Sequence, residues 1–296
     1  METPATARGP GTPHPRGIGG RPPRPDGTVA AELRSAEVRI NGRVLLSGID
    51  WRIGYGDHWA VLGRNGAGKS TLMSLLACLR HPSSGTVSVL GHRLGTVDLR
   101  DLRRSIGLVT TAQRLLDEEG ANCLTVVLTG YSGTVQPMWR EYDDRLRAKA
   151  ADLLSSVGCA ELTERSIRVC SQGERARVRV ARALMADPAV LLLDEPFAGL
   201  DLPAREDLIE ALERLARTRP DLTTVTVTHH LEEIPATTTH ALLLRDGRIM
   251  AGGTPTEVLS DTHMSTCFGR PLRTHEREGR WSVQAGVREP RRPRKG

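Results

Sequence analysis

The sequence predicts a mixed α/β fold with an antiparallel β edge and an inserted α-helical subdomain. Three observations carry this expectation. A short apolar run, Trp59-Ala60-Val61-Leu62, leads into a glycine-rich stretch, after which Leu72, Leu75, Leu76 and Leu79 recur at helical spacing. A second apolar run, Val190 to Leu193, ends in the carboxylates Asp194 and Glu195. Between them the segment at about 112–172 turns helical, with Leu146, Ala150, Leu153, Leu154 and Val157 on one face and Gly158 at its end.

In order along the chain, Ala30 to Ile40 reads as a first strand, broken by the turn signal Asn41-Gly42. Val44 to Leu46 and Ile49 to Trp51 resume the β pattern, so a hairpin-rich edge precedes the run at Trp59. His81-Pro82-Ser83-Ser84-Gly85 stops the first helix, and Thr86 to Leu90 and Ser105 to Val109 read as further strands. After the helical block, Arg175 to Ala186 reads as an arginine-rich helix and Thr223 to Thr228 as a strand. Ala241 to Leu244 and Arg248 to Ala251 pair across the hairpin turn Asp246-Gly247.

The stretch Gly63-Arg64-Asn65-Gly66-Ala67-Gly68-Lys69-Ser70 fits G-x-x-x-x-G-K-[ST]. Glycines let the backbone amides of such a loop curl around phosphates, the lysine reaches the terminal phosphates, and the serine hydroxyl binds Mg²⁺. Strand, glycine loop and helix are the context this chemistry needs, because the helix N-terminus, here Lys69, Ser70 and Thr71, turns its amides and positive dipole end toward the phosphates. The chain has only three lysines, Lys69, Lys149 and Lys295, which makes a chance lysine at this position less probable. A buried strand ending at Asp194 places that carboxylate where it can hold Mg²⁺ with Ser70, and Glu195 one step nearer an attacking water.

Composition narrows the class. At 296 residues the chain can bury a substantial core. No apolar run approaches the roughly 18 residues a membrane helix requires, and residues 1–27 lack the apolar segment of a secretory signal. Five cysteines without C-x-x-C spacing suggest neither a disulfide framework nor a zinc site, and a reducing cytoplasm is the simplest home. Of the net charge of +6, residues 1–27 contribute +2 and residues 270–296 contribute +6, leaving −2 for the rest. The basic excess therefore sits in terminal segments of Pro/Gly/Arg or Arg-rich character, and neither has the aromatic interleaving of a base-stacking surface. No specific nucleic-acid partner is expected.

Three further motifs complete a resemblance. Cys170-Ser171-Gln172-Gly173-Glu174 opens the helix that ends in Ala181-Arg182-Ala183-Leu184; Leu193-Asp194-Glu195-Pro196 follows; then come Ala198-Gly199-Leu200-Asp201 and Val227-Thr228-His229. With the glycine loop, in this order, the chain resembles the ATP-binding-cassette (ABC) ATPases over residues 30–260, a P-loop NTPase fold. The resemblance implies three parts: a tail at 1–29, an ATPase domain at 30–268 with the helical subdomain at about 112–172 inserted, and a basic extension at 269–296. It implies binding and hydrolysis of ATP with Mg²⁺ by two cassettes paired head to tail. The P-loop of one would face the signature Ser171 and Gly173 of the other, with Asp201 in the D-loop. Glu195 would activate water and His229 would contact the γ-phosphate.

By the same resemblance the chain energises a transporter whose membrane-spanning subunits are separate chains, and lies in the cytoplasm on the inner face of the membrane. The alternative is a soluble ABC ATPase acting on ribosomes or DNA, although no sustained heptads of such proteins are present. His229 to Pro235 and the short C-terminal extension resemble a molybdenum-transport-like single-cassette subgroup. Departures from the family pattern are specific. The signature usually reads Leu-Ser-Gly-Gly-Gln, so Cys170, Gln172 and Glu174 differ. The aromatic that stacks on adenine falls at Ile40. The Q-loop glutamine, a ligand of the catalytic Mg²⁺, falls at Thr111, with Gln113 the nearest glutamine. Cys170, beside a helix N-terminus, is a candidate reactive thiol, or an inert buried one.

Overall fold

The computed structural model describes residues 29–96, 99–110, 121–131 and 142–286. Strands β1 (Val29–Ile40) and β2 (Arg43–Gly54) form an antiparallel hairpin about Asn41-Gly42, and β4 (Ser84–Val89) and β5 (His92–Arg93) extend it into a four-stranded sheet of order β2-β1-β4-β5. The alternating burial along much of β2 and the end of β4 is that of strands with one face on the core. The antiparallel edge is therefore present.

The second sheet has six strands. Its order is β10-β9-β3-β8-β7-β6, with β3 (His58–Leu62), β6 (Ile106–Thr110), β7 (Val190–Asp194), β8 (Thr223–Thr228), β9 (His240–Arg245) and β10 (Arg248–Gly253). Of its five pairings, β9–β3, β3–β8, β8–β7 and β7–β6 are parallel and β10–β9 is antiparallel. A parallel strand is covered on both faces, which is why Trp59 to Leu62 and Val190 to Leu193 read as unbroken apolar runs. Register places Thr110 opposite Asp194, and Asp194 opposite Val227, two residues before His229. The carboxyl ends of the central strands thus converge on one edge.

Helix α1 (Lys69–Leu76) lies between the two sheets, and Leu72, Met73, Leu75 and Leu76 join the first core cluster. It is shorter than the leucine spacing predicts. Cys78 adopts a left-handed φ of 55°, so the helix stops before His81-Pro82, and Leu79 is turned out to 58% exposure. After the six-residue α2 (Leu99–Arg104), α3 (Cys123–Thr129), α4 (Asp144–Ser156) and α5 (Gln172–Leu184) pack together with α6 (Leu202–Thr218) into a second cluster on the other face of β7. Ala150, Leu153, Leu154 and Val157 are buried there, on the face that their spacing predicts. Two short helices, α7 (Pro255–Val258) and α8 (Asp261–Phe268), and a hairpin of β11 (Leu272–Arg277) and β12 (Arg280–Ala285) close a third cluster around Leu231 and Ile234.

Candidate functional site

The glycine loop joins β3 to α1. Its shape is fixed from two sides: Ala67 N donates to Arg64 O at 3.0 Å, and the β9–β10 turn reaches over, Gly247 N donating to Ala67 O at 3.0 Å. Gly68, the residue before the helix, has φ +105°, and a Cβ there would stand 2.8 Å from Leu46 Cδ2 and 2.9 Å from Leu45 O. No other residue type fits both constraints. Gly68 caps the helix without a side chain. The first-turn amides of α1 have no partners inside the helix, and the helix dipole adds partial positive charge at that end.

These elements enclose a cavity of about 690 Å³. Asn65, Gly66, Gly68, Lys69, Ser70 and Thr71 line its floor, Asp194 and Glu195 one wall, and Arg43, Val44, Leu45, Asp246 and Gly247 the rim. Lys69 is buried and bends back onto the loop, its Nζ donating to Gly63 O at 2.9 Å and Arg64 O at 3.3 Å, with Glu195 Oε1 at 3.8 Å. Burial pulls its ammonium below the ordinary lysine value, and the charges of Glu195 and Asp194 oppose that pull.

Asp194 carries the clearest ligand signal. Burial raises its carboxyl above the usual range; a hydrogen bond from Ser70 opposes the rise, Glu195 adds to it and Lys69 opposes it. Its Oδ1 is buried without a hydrogen-bond partner. An acceptor-only oxygen left bare beside a serine hydroxyl fits a hard divalent cation. Among the described residues no group of three or more His, Cys, Asp or Glu could hold a metal by themselves. Ser70 and Asp194 are therefore a partial donor set, as suits Mg²⁺, which usually keeps waters and substrate phosphate oxygens as its other ligands.

Glu195 follows the strand in a left-handed conformation, φ 51°, its amide donating to Val227 O at 3.0 Å. That backbone costs roughly 1–2 kcal/mol for a residue with a Cβ, and it turns the carboxylate to the cavity. Glu195 Oε1 lies 3.4 Å from His229 Nδ1, which has an ion-pair distance but no aligned hydrogen bond. The His229 ring rests tilted against His230, centroids 4.1 Å apart. The chain thus brings Lys69, Ser70, Asp194, Glu195 and His229 together.

Other expected residues are elsewhere. Ile40 does not line the cavity; it packs against the first core cluster, and the residues after the turn, Arg43 to Leu45, reach the rim instead. The apolar surface there is Val44, 41% exposed. Ala67 is buried in the same cluster and its amide is spent within the loop. Thr111 and Gln113 lie outside the described residues.

Ser171 and Gly173 do not line this cavity. Ser171 is the N-cap of α5, its hydroxyl accepting from Glu174 N at 3.2 Å while Glu174 Oε2 accepts from Ser171 N at 2.7 Å. The accepted bond leaves the exposed Ser171 hydroxyl its own proton to donate outward. Gly173 permits close packing of α5 on α6, since a Cβ would meet Ala204 Cβ at 2.5 Å. Asp201 is exposed and caps α6, accepting from Ala204 N at 3.0 Å. Cys170 is turned inward, its Sγ 3.6 Å from Cys123 Sγ, and burial leaves it unavailable as a reactive surface thiol. Sequence reasoning missed the rim residues Arg43, Val44, Leu45 and Asp246; the two turn signals Asn41-Gly42 and Asp246-Gly247 located both edges of the rim but not their meeting.

Comparison with known proteins gives a consistent result. A family model described as ABC transporter matches residues 46–198. The uncharacterized ABC transporter ATP-binding protein YlmA of Bacillus subtilis (strain 168) is 37% identical over 244 residues, 81% of this chain and 91% of that protein. The solved structure of CbiO1 from Clostridium perfringens, described as part of an ABC transporter complex, superposes with a TM-score of 0.70 at 26% identity, covering 81% of this chain and 94% of that one. A dimeric ATP-binding cassette in a post-hydrolysis state with ADP and Pi shares the fold, with a TM-score of 0.63 at 23% identity over 76% of this chain and 98% of that one.

Proposed function

The chain belongs to the ABC transporter family, and from that premise we propose that it is the ATP-hydrolysing subunit of a transporter whose membrane-spanning subunits are separate chains. ATP is the substrate and the cavity above α1 its phosphate site. Lys69 exchanges its bonds to Gly63 O and Arg64 O for the terminal phosphates, and the first-turn amides of Ser70 and Thr71 take neighbouring oxygens. Ser70 and Asp194 would hold Mg²⁺, which would supply neutralisation of the phosphate charge.

Glu195 accepts a proton from the attacking water as its oxygen bonds to the γ-phosphorus; the bond from phosphorus to the bridging oxygen breaks, and ADP and phosphate leave. His229 steadies the phosphoryl oxygens from the far side of Glu195. The observation that carries this reading is the convergence on Glu195 Oε1 of Lys69 at 3.8 Å and His229 at 3.4 Å, beside the bare oxygen of Asp194. The Q-loop residue would be Gln113 or Thr111, in the segment that follows β6, whose last residue Thr110 pairs with Asp194.

The outward Ser171 hydroxyl, with Gly173 and Asp201, lies away from the phosphate site of the same chain. That separation supports a head-to-tail pair in which each chain supplies half of the partner's site. Transport is favoured over ribosome or DNA work because the relatives are transporter subunits. No helix among the described residues is long and apolar enough to cross a membrane, so attachment to the inner face would be through the spanning partners. The division into residues 1–29, 30–268 with the helical block at about 112–172, and 269–296 is our working one. The finer grouping with molybdenum-transport-like cassettes rests on His229 to Pro235 and the C-terminal extension.

The test is phosphate release by the purified chain. Wild type should turn over ATP only with magnesium present, and Lys69→Ala should fall to background. Turnover that survives Lys69→Ala would reject the site.

A further inference from the structure

We propose that Arg280, on the C-terminal hairpin, is a positioning residue for ATP hydrolysis that braces His229 and Asp201 together. The inference rests on the roles given to those two residues above. Arg280 Nη2 lies 2.9 Å from Glu206 Oε2 and donates to Glu232 O at 3.1 Å. Glu206 is on the second turn of α6, the helix that Asp201 caps; it also lies 3.5 Å from Arg205 Nε. Glu232 sits three residues beyond His229, in the 3-10 turn Leu231–Glu233. One guanidinium nitrogen therefore joins the second turn of α6 to the 3-10 turn that follows His229.

Neighbouring contacts make this a built junction. Val283 N donates to Glu232 Oε1 at 3.2 Å, and Trp281 and Val283 pack on the cluster that contains Leu231 and Ile234. From α6, Glu213 accepts directly from Ala236 N at 2.8 Å. The segment after His229 is thus gripped between α6 and the hairpin. Arg280 and Glu206 are 34% and 38% exposed at their side chains, and exposed ion pairs add little to global stability. What the pair can do is fix the relative position of α6 and the turn after His229, where small displacements of catalytic groups are costly in rate.

The experiment compares steady-state ATP hydrolysis and thermal midpoint for wild type, Arg280→Ala, Arg280→Lys, Glu206→Gln and the double variant Arg280→Ala/Glu206→Gln. Arg280→Ala should lower kcat about tenfold with KM for ATP within about twofold and the midpoint little changed. Lysine should recover most of the rate, since a single donor nitrogen makes the contacts to both Glu206 and Glu232. Glu206→Gln should lower kcat in the same direction, and the double variant should be no slower than Arg280→Ala. Unchanged kcat, a parallel loss of midpoint, a lysine variant no better than alanine, or additive effects would overturn the proposal. If Arg280→Ala does not fold, Glu206→Gln and Arg280→Lys carry the same comparison. His229→Ala run alongside separates the two ideas: wild-type turnover in that variant rejects the site reading itself.

Discussion

Replacing Asp194 by asparagine should stabilise the nucleotide-free protein while removing its response to ATP and magnesium. In the folded chain Asp194 Oδ1 is buried with no hydrogen-bond partner, and Glu195 is a like charge beside it. A buried polar atom without a partner costs about 1–3 kcal/mol; the residue is only half-buried, so the low end, about 1 kcal/mol, applies. Asparagine keeps an acceptor for Ser70, drops the charge, and can offer its amide to Glu195. A gain of about 1 kcal/mol in a chain of this size raises the thermal midpoint by roughly 2 °C. The pH dependence has a definite sign. The folded state binds the Asp194 proton more tightly than the unfolded state, so the stability that protonation contributes is complete below the ordinary value of 3.8 and is lost as pH rises through the raised folded value. The advantage of asparagine is therefore largest at neutral pH and shrinks in acid. Scanning calorimetry at pH 7 and at pH 4, each with and without ATP and magnesium, reads all of this. A lower midpoint for the nucleotide-free variant at pH 7, or a magnesium-dependent rise equal to wild type, would refute the reasoning.

Other outcomes follow from single contacts. Gly68→Ala should lose nucleotide binding in a fluorescent-analogue titration and destabilise the fold by about 2 kcal/mol, because alanine would be strained at φ +105° and would press on Leu46 Cδ2 and Leu45 O. Glu174→Gln should preserve the α5 capping box, whereas Glu174→Ala should lower stability by about 1 kcal/mol in urea unfolding. Cys78, Cys123, Cys159, Cys170 and Cys267 are all buried, and burial pushes Cys78 up to about 11 and Cys123 up to about 12. A thiol-disulfide reagent added to native protein should accordingly find no fast-reacting cysteine, with five appearing only on unfolding. A rapid first thiol would contradict the packing. Lys69→Ala and Ser171→Arg should each be inactive alone, and mixing them should restore turnover, since the mixed pair contains one intact composite site; a mixture as inactive as its parts would argue against head-to-tail pairing.

The residues whose chemistry is local were the ones legible from sequence. The glycine loop, the apolar strand ending at Asp194 and the strand before His229 announce themselves because backbone conformation and burial of neighbours within a few positions decide them. Ile40, the position that the family pattern gives for the adenine contact, lies before the Asn41-Gly42 turn, whereas Arg43 to Leu45, just after it, line the cavity; which side of a hairpin turn reaches a cavity is decided by tertiary packing and leaves no local signal. Leu79 continued a helical spacing that the left-handed Cys78 interrupts. Glu174 was readable only as a departure from a family pattern, yet Ser171-Gln172-Gly173-Glu174 is a capping box in which glutamate and glutamine serve alike. Arg280 gave no local signal at all: its partner Glu206 is 74 positions away, and only the packing of the hairpin on α6 joins them.

The most direct test of the central claim is light scattering of Glu195→Gln with ATP and magnesium, with phosphate release followed in the same sample. The account predicts that the 32.2 kDa chain doubles in mass on binding ATP and stays paired, with turnover abolished because no base takes the proton of water. A chain that stays single at saturating ATP, or that still releases phosphate at the wild-type rate, would contradict it.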